Sequence, residues 1–242
     1  MVGLAQAGVL TVTASGASAS LNLNGNGVVD AFVFSPTISA DATNYNVKSA
    51  ALAAGWNGTK KLTANITINS GVVVSANTTS IPAFDTGTGF PGGSTITLTN
   101  NGYIIGMGGA GGSFIGGPGS GGAGGPALKA QYAMTVSNTG TIGGGGGGGE
   151  GCINGGGGGR SGRTNSAGGY SDGTFGGLSG AGGTFSTAGL ARPGYYNGGG
   201  AWGAAGGDES CSGSTPGAGG AAVIGNANIT WTATGTRLGA IN

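Results

Sequence analysis

The run Gly143-Gly144-Gly145-Gly146-Gly147-Gly148-Gly149 decides how this chain must fold. It lies inside residues 106–225, a stretch holding 48 of the 63 glycines, so whatever forms there is built from backbone rather than side chains. Glycine disfavours helix and strand interiors by roughly 0.5–1 kcal/mol per residue relative to alanine, and ordering each backbone position costs about 1–2 kcal/mol. That cost is recoverable only in hydrogen bonds. A polyproline II conformation, with three residues per turn and about 3.1 Å rise, points successive amides in three directions and makes no bonds within itself. Neighbouring strands that lack side chains approach closely enough to pair each N–H with a carbonyl and to add Cα–H contacts. Seven glycines extend about 22 Å on this rise, enough to cross a small domain. The sequence therefore predicts short strands of polyglycine II type, packed side by side and joined by loops.

A flexible linker is the alternative that such a composition suggests. Disordered segments are rich in charge and poor in aromatic residues. Here only 6% of the chain is charged, and Tyr170, Phe175, Phe185, Tyr195, Tyr196 and Trp202 interrupt the glycine-rich half. Order is the reading that fits. The irregular insertions between glycine tracts, at 113–120, 150–154, 160–172, 185–197 and 208–216, hold most of the aromatic and charged side chains of this half. Chemical variety is therefore confined to the loops at the strand ends.

Upstream, apolar residues alternate with short polar ones from Val9 to Phe34, and Asn24-Gly25-Asn26-Gly27 separates two of the runs, which predicts β-strands joined by tight turns. One helix is expected over Asn44 to Trp56, with Asn44 as its cap, Val47, Ala51 and Ala54 on one face and Gly55 at its end. A motif then recurs: Thr67-Ile68-Asn69-Ser70-Gly71-Val72-Val73 is echoed from Thr97 to Ile105, from Thr135 to Ile142 and from Thr230 to Leu238. Each copy reads as strand, glycine turn, strand. The spacing is irregular, so no fixed rung length is assigned. The predicted fold is mainly β with one short helix, followed by a C-terminal glycine-rich domain of packed polyglycine II strands. Its expected divisions are 1–44, a β-rich segment; 45–105, a small β-rich domain with the helix; and 106–242, the glycine-rich domain.

Eight basic and seven acidic residues leave a net charge of +1, which gives no field for nucleic acid or an anionic membrane. No run of 18 apolar residues exists, and Met1 to Ala19 has no basic region and no continuous apolar region, so neither a membrane span nor a signal peptide is expected. Cys152 and Cys211 are the two cysteines. Two readings stay open: free thiols, or a bridge closing a loop of about 60 residues, worth roughly 4 kcal/mol on the chain-entropy model. Without histidine, two cysteines do not make the usual zinc site, so no metal and no cofactor is expected.

The lack of histidine also removes Ser-His-Asp and Cys-His catalysis. Glu150, Asp172, Asp208 and Glu209 offer carboxylates for glycosidic cleavage, yet such acids occur on any loop-rich surface, so no catalytic residue is assigned and the chain is not expected to be an enzyme. Binding is the better use of these loops. Aromatic and arginine side chains among Ser, Gly and Asn give contact area at small entropic cost. The candidates are Arg160, Arg163, Tyr170, Phe175, Phe185, Arg192, Tyr195, Tyr196 and Trp202.

Several stretches resemble tail fibre and host-specificity proteins of tailed bacteriophages. They are Tyr45-Asn46-Val47-Lys48 through Gly55-Trp56-Asn57-Gly58-Thr59, Ile81-Pro82-Ala83-Phe84-Asp85-Thr86-Gly87, Asn138-Thr139-Gly140-Thr141-Ile142, and Ile224-Gly225-Asn226 on to Gly235-Thr236-Arg237. The glycine-rich half is similar to the distal adhesins of T-even-type phages. The resemblance implies a virion protein of the tail fibre or tail tip, assembled in the host cytoplasm. Polyglycine strands would present loops to a bacterial surface receptor, an outer-membrane protein or a glycan. It also implies other virion tail proteins as partners, a homotrimer, and residues 1–44 as the joining segment. Two other readings remain beside it: a structural or ice-binding glycine-rich protein, whose every-third-residue glycine period is broken between Arg160 and Asn197, and a tailspike-like enzyme that degrades surface glycan.

Overall fold

A computed structural model describes residues 9–14, 17–23, 29–173, 178–190 and 196–242. Strands β1 (Val9–Ala14), β2 (Ala17–Leu23) and β3 (Val29–Ile38) pair antiparallel in that order. From β3 onward the chain winds into a three-faced parallel solenoid. The first turn is β3, β4 (Ala42–Thr43) and β5 (Tyr45–Asn46), and the second is β6 (Lys61–Ile68), β7 (Val73–Ser75) and β8 (Phe84–Asp85). The third is β9 (Thr95–Asn100), β10 (Tyr103–Ile105) and β11 (Leu128–Lys129); the fourth is β12 (Met134–Asn138), β13 (Thr141–Gly143) and β14 (Val223–Ile224). Strands β15 (Ile229–Ala233) and β16 (Thr236–Leu238) follow, and Ile241 bridges to Val223 on the third face. Each face is one sheet, with strand orders β1-β2-β3-β6-β9-β12-β15, β16-β13-β10-β7-β4 and β14-β11-β8-β5.

Alternation explains why the first face closes over a core. In β6, Leu62, Ala64, Ile66 and Ile68 are buried while Thr63, Asn65 and Thr67 face outward, which is the two-residue period of a half-buried strand. Ile96 and Leu98 of β9 and Met134 and Val136 of β12 continue the same rows inward. The recurring sequence motif is the corner between first and second faces. There Asn100 Nδ2 donates to Asn138 Oδ1 at 2.7 Å, Asn138 Nδ2 donates to the Thr234 carbonyl at 2.7 Å, and the Gly102 amide donates to Asn100 Oδ1 at 3.2 Å. A buried amide at a bend is stable only when so paired.

The helix, α1 (Val47–Ala53), is shorter than the sequence predicts, and Asn46 caps it by accepting the Ser49 amide at 2.9 Å. Asn44 is instead a left-handed residue, φ 49°, hydrogen-bonded to Asn77. Val47 and Ala51 face the core, whereas Leu52 is exposed. Among later strands, β5, β8, β11 and β14 have two residues each.

The glycine-rich residues are excursions from the solenoid. Residues 106–127 leave between β10 and β11, and residues 144–222 leave between β13 and β14. The glycine run occupies the middle of a bundle, and its amides turn to three sides in strict rotation. Gly144 and Gly147 donate to Leu238 and Ala204, Gly145 and Gly148 to Gly125 and Gly122, and Gly146 and Gly149 to Arg160 and Gly157, all at 2.8–3.0 Å. Its carbonyls accept in the same rotation from Gly106, Gly109 and Gly112, from Gly203 and Gly200, and from Gly220 and Gly217. A Cβ at Gly145, Gly147 or Gly148 would fall on the carbonyls of Met107, Gly217 and Ala110. The outward sides of β7 and β10 carry Val73 and Ile105, both fully buried beneath Trp202, so the bundle sits on the second face.

Candidate functional site

The strands of the bundle have two ends. At the solenoid end four predicted binding residues come together. The Arg160 guanidinium lies 3.6 Å over the Trp202 ring and its Nε donates to the Phe185 carbonyl at 2.9 Å. Phe185 and Trp202 are 5.2 Å apart, and Tyr103 of β10 meets Phe185 edge-on at 5.4 Å. Arg163 lies 4.7 Å over Phe185 and pairs with Asp41 at 2.6 Å, across from the solenoid's first turn. Burial lowers the basicity of Arg160, and Tyr103 opposes that shift. Trp202 Nε1 donates to the Ser161 carbonyl at 3.0 Å, so its polar edge is satisfied. This group clamps the bundle to the second face.

At the far end the loops 113–120, 150–154, 170–173 and 208–216 meet. The Phe114 amide donates to the Tyr170 carbonyl at 2.8 Å, and the Tyr170 amide to Ser113 Oγ at 3.0 Å. Ser171 Oγ donates to the Ile153 carbonyl, the Leu178 amide to Asn154 Oδ1, and the Thr215 amide to Ser120 Oγ, at 3.0–3.2 Å. Glu150 stands at the centre. It is fully buried, and it accepts from the Glu209 amide, from the Cys211 amide at 3.3 Å and from Ser214 Oγ at 2.9 Å. Cys152 and Cys211 are bridged beside it, with Cα atoms 6.0 Å apart. The carboxylate and the two sulfurs lie within 4.8 Å of one another, but the sulfurs are bonded to each other and so are not thiolate ligands.

Several large apolar side chains stand exposed on these loops, beside polar residues such as Asp208, Ser210 and Ser212. Tyr196 is 82% exposed, Ile115 67%, Leu178 58% and Tyr170 57%, and Ile153 is also open. Ile153 and Tyr196 line one depression together, and large apolar side chains gathered on exposed loops are the material of an interaction surface. The acids that sequence reading offered for catalysis hold backbone instead: Asp172 accepts the Gly116 amide, Asp208 the Ser210 amide and Glu209 the Tyr196 amide. Of the predicted binding residues, Tyr170 and Tyr196 are at this end, while Arg160, Arg163, Phe185 and Trp202 are at the other. Phe175, Arg192 and Tyr195 lie outside the described residues. Sequence reading missed Glu150 as a loop clamp, and Ile115, Ile153 and Leu178 as surface; an acid directly after the glycine run is the one signal for the first.

The solenoid thus carries a side-chain-poor bundle that gathers loops with exposed apolar side chains at its far end. The chain belongs to the phage tail fibre adhesin Gp38 family, whose model matches residues 33–242. No curated protein matches it significantly. Among solved structures it is similar to the gp37–gp38 adhesin tip complex of the bacteriophage S16 long tail fibre, with a TM-score of 0.62 and 25% identity over 86% of this chain and 82% of that one.

Proposed function

We propose that this tail fibre adhesin binds a bacterial surface receptor through the loops at the far end of its glycine bundle, by contact and without catalysis. The observation that carries this reading is the gathering of Ile115, Ile153, Tyr170, Leu178 and Tyr196, all exposed, on loops tied to one another. The bundle behind them is assigned polyglycine II geometry. The three-way rotation of hydrogen bonds from Gly144 to Gly149 supports it, since that conformation has three residues per turn.

In the S16 long tail fibre, gp38 forms an adhesin tip complex with gp37, and by analogy this chain joins another tail protein of its own virion, with residues 1–44 as the joining segment. It is assembled in the host cytoplasm as part of the tail. The receptor is an outer-membrane protein or a glycan, and a homotrimeric fibre is the expected context. Purified chain should compete with intact phage for host cells. Tyr170→Ala and Tyr196→Ala should each weaken that competition about tenfold or more, with no change in melting temperature, as expected for exposed anchor residues. Competition unaffected by both substitutions would falsify the assignment of the far-end loops.

A further inference from the structure

The bridge between Cys152 and Cys211 joins loops whose cysteines are 59 residues apart. On its inner side sits Glu150; on its outer side a shallow depression of about 320 Å³ is lined by both cysteines, Ile153, Tyr196 and Glu209. Cys152 is 4% exposed, whereas Cys211 is half-buried and opens onto this depression. The outermost side chain, Tyr196, is positioned by a relay. Its amide donates to Glu209 Oε1 at 2.9 Å, and the Glu209 amide in turn donates to Glu150. The same carboxylate takes the Cys211 amide, so the bridge and the tyrosine share one anchor.

Residues 208–214 have little else to hold them. None of their side chains enters the hydrophobic core, Ser210 is in the left-handed region at φ 57°, and Gly213 is at φ 91°.

We propose that the Cys152–Cys211 bridge is a redox-operated lock on the receptor-facing loop: closed, it fixes Glu209 and through it Tyr196; open, it releases both. Closure is thiol–disulfide exchange with a low-molecular-weight disulfide as oxidant. The Cys211 thiolate, the more accessible, attacks one sulfur of the small disulfide and expels one small thiolate. The Cys152 thiolate then attacks the Cys211 sulfur, forms the bridge and expels the second. Two protein thiols give up two electrons and two protons, which leave as two small thiols. A chain made where thiols are kept reduced therefore carries an open lock until it meets an oxidising medium. The effect on binding rests on the receptor reading above; the effect on the loop does not.

Two measurements on the full chain separate these. Amide hydrogen exchange is compared between the oxidised chain and the chain reduced with dithiothreitol, and both are tested for competition with phage adsorption. Reduction should cut protection at residues 196, 209 and 211 by at least tenfold, leave β6 and β9 unchanged, and raise the competing concentration at least tenfold. Oxidised glutathione should restore both. The Cys152→Ser/Cys211→Ser chain should behave as the reduced form and respond to neither reagent. Equal loop protection in the two states overturns the lock, as does a response to dithiothreitol in the double variant. If protection switches but the oxidised chain never competes for cells, the lock stands and the receptor reading falls.

Discussion

Glu150 illustrates how much one buried carboxylate can organise. It accepts from two amides and a hydroxyl in place of water, which is what a buried polar group requires. Glu150→Ala would leave the Glu209 and Cys211 amides without partners, and should lower stability by about 3 kcal/mol. Glu150→Gln should cost less, because the Ser214 hydroxyl can turn and accept from the new amide; thermal melts of the two variants check the order. Tyr45 is the opposite case. It stacks on Phe84 at 5.5 Å, its hydroxyl is buried with no partner among the described residues, and burial pushes its phenol well above the ordinary value. The folded chain therefore keeps this proton where the unfolded chain releases it, near pH 10. The stability linked to that proton is intact below about pH 10 and is lost as pH rises beyond it. Tyr45→Phe should gain about 1 kcal/mol at neutral pH, and the gain should widen between pH 10 and 11 in denaturant titrations.

Among the elements, the strand through Gly147 is the least tolerant. An added methyl there lands on the Gly217 carbonyl, and backbone hydrogen-bonded on several sides has no room to yield. Gly147→Ala should destabilise by about 3 kcal/mol or more, at the upper end of overpacking costs. Gly117→Ala, where a Cβ meets nothing within 4 Å, should be silent; soluble yield and melting temperature distinguish the pair. This element was also the most legible, because seven consecutive glycines leave no side chain to argue otherwise. The solenoid was half legible. Its corners announced themselves in the Thr-x-Thr-Asn-x-Gly pattern around Asn100 and its echoes, whereas its third face consists of pairs such as Phe84–Asp85 and Leu128–Lys129, too short to carry a period. The helix cap slipped by two positions because Asn44 and Asn46 are equally good caps in isolation, and only the pairing of β5 with β8 selects the second.

For the molecule as a whole, the clamp of Arg160, Arg163, Phe185 and Trp202 was unreadable as such. Aromatic and arginine residues on loops have the composition of a binding surface, and nothing local reveals that Arg163 meets Asp41 across 122 residues. The clamp's two interactions should differ in weight. Trp202→Ala opens the contact over Val73 and Ile105 and should cost about 3–5 kcal/mol. Arg163→Met removes a half-exposed ion pair and should cost under about 1 kcal/mol. Chemical denaturation of both variants checks the ratio. Because the bundle is held by peptide groups and buries few apolar side chains, melting it exposes chiefly polar surface, which lowers rather than raises heat capacity. Its stability should thus vary gently with temperature, without the weakening on cooling that afflicts oil-like interiors. The loops at its far end should therefore keep their arrangement over a wider span of temperature than loops carried on a side-chain core.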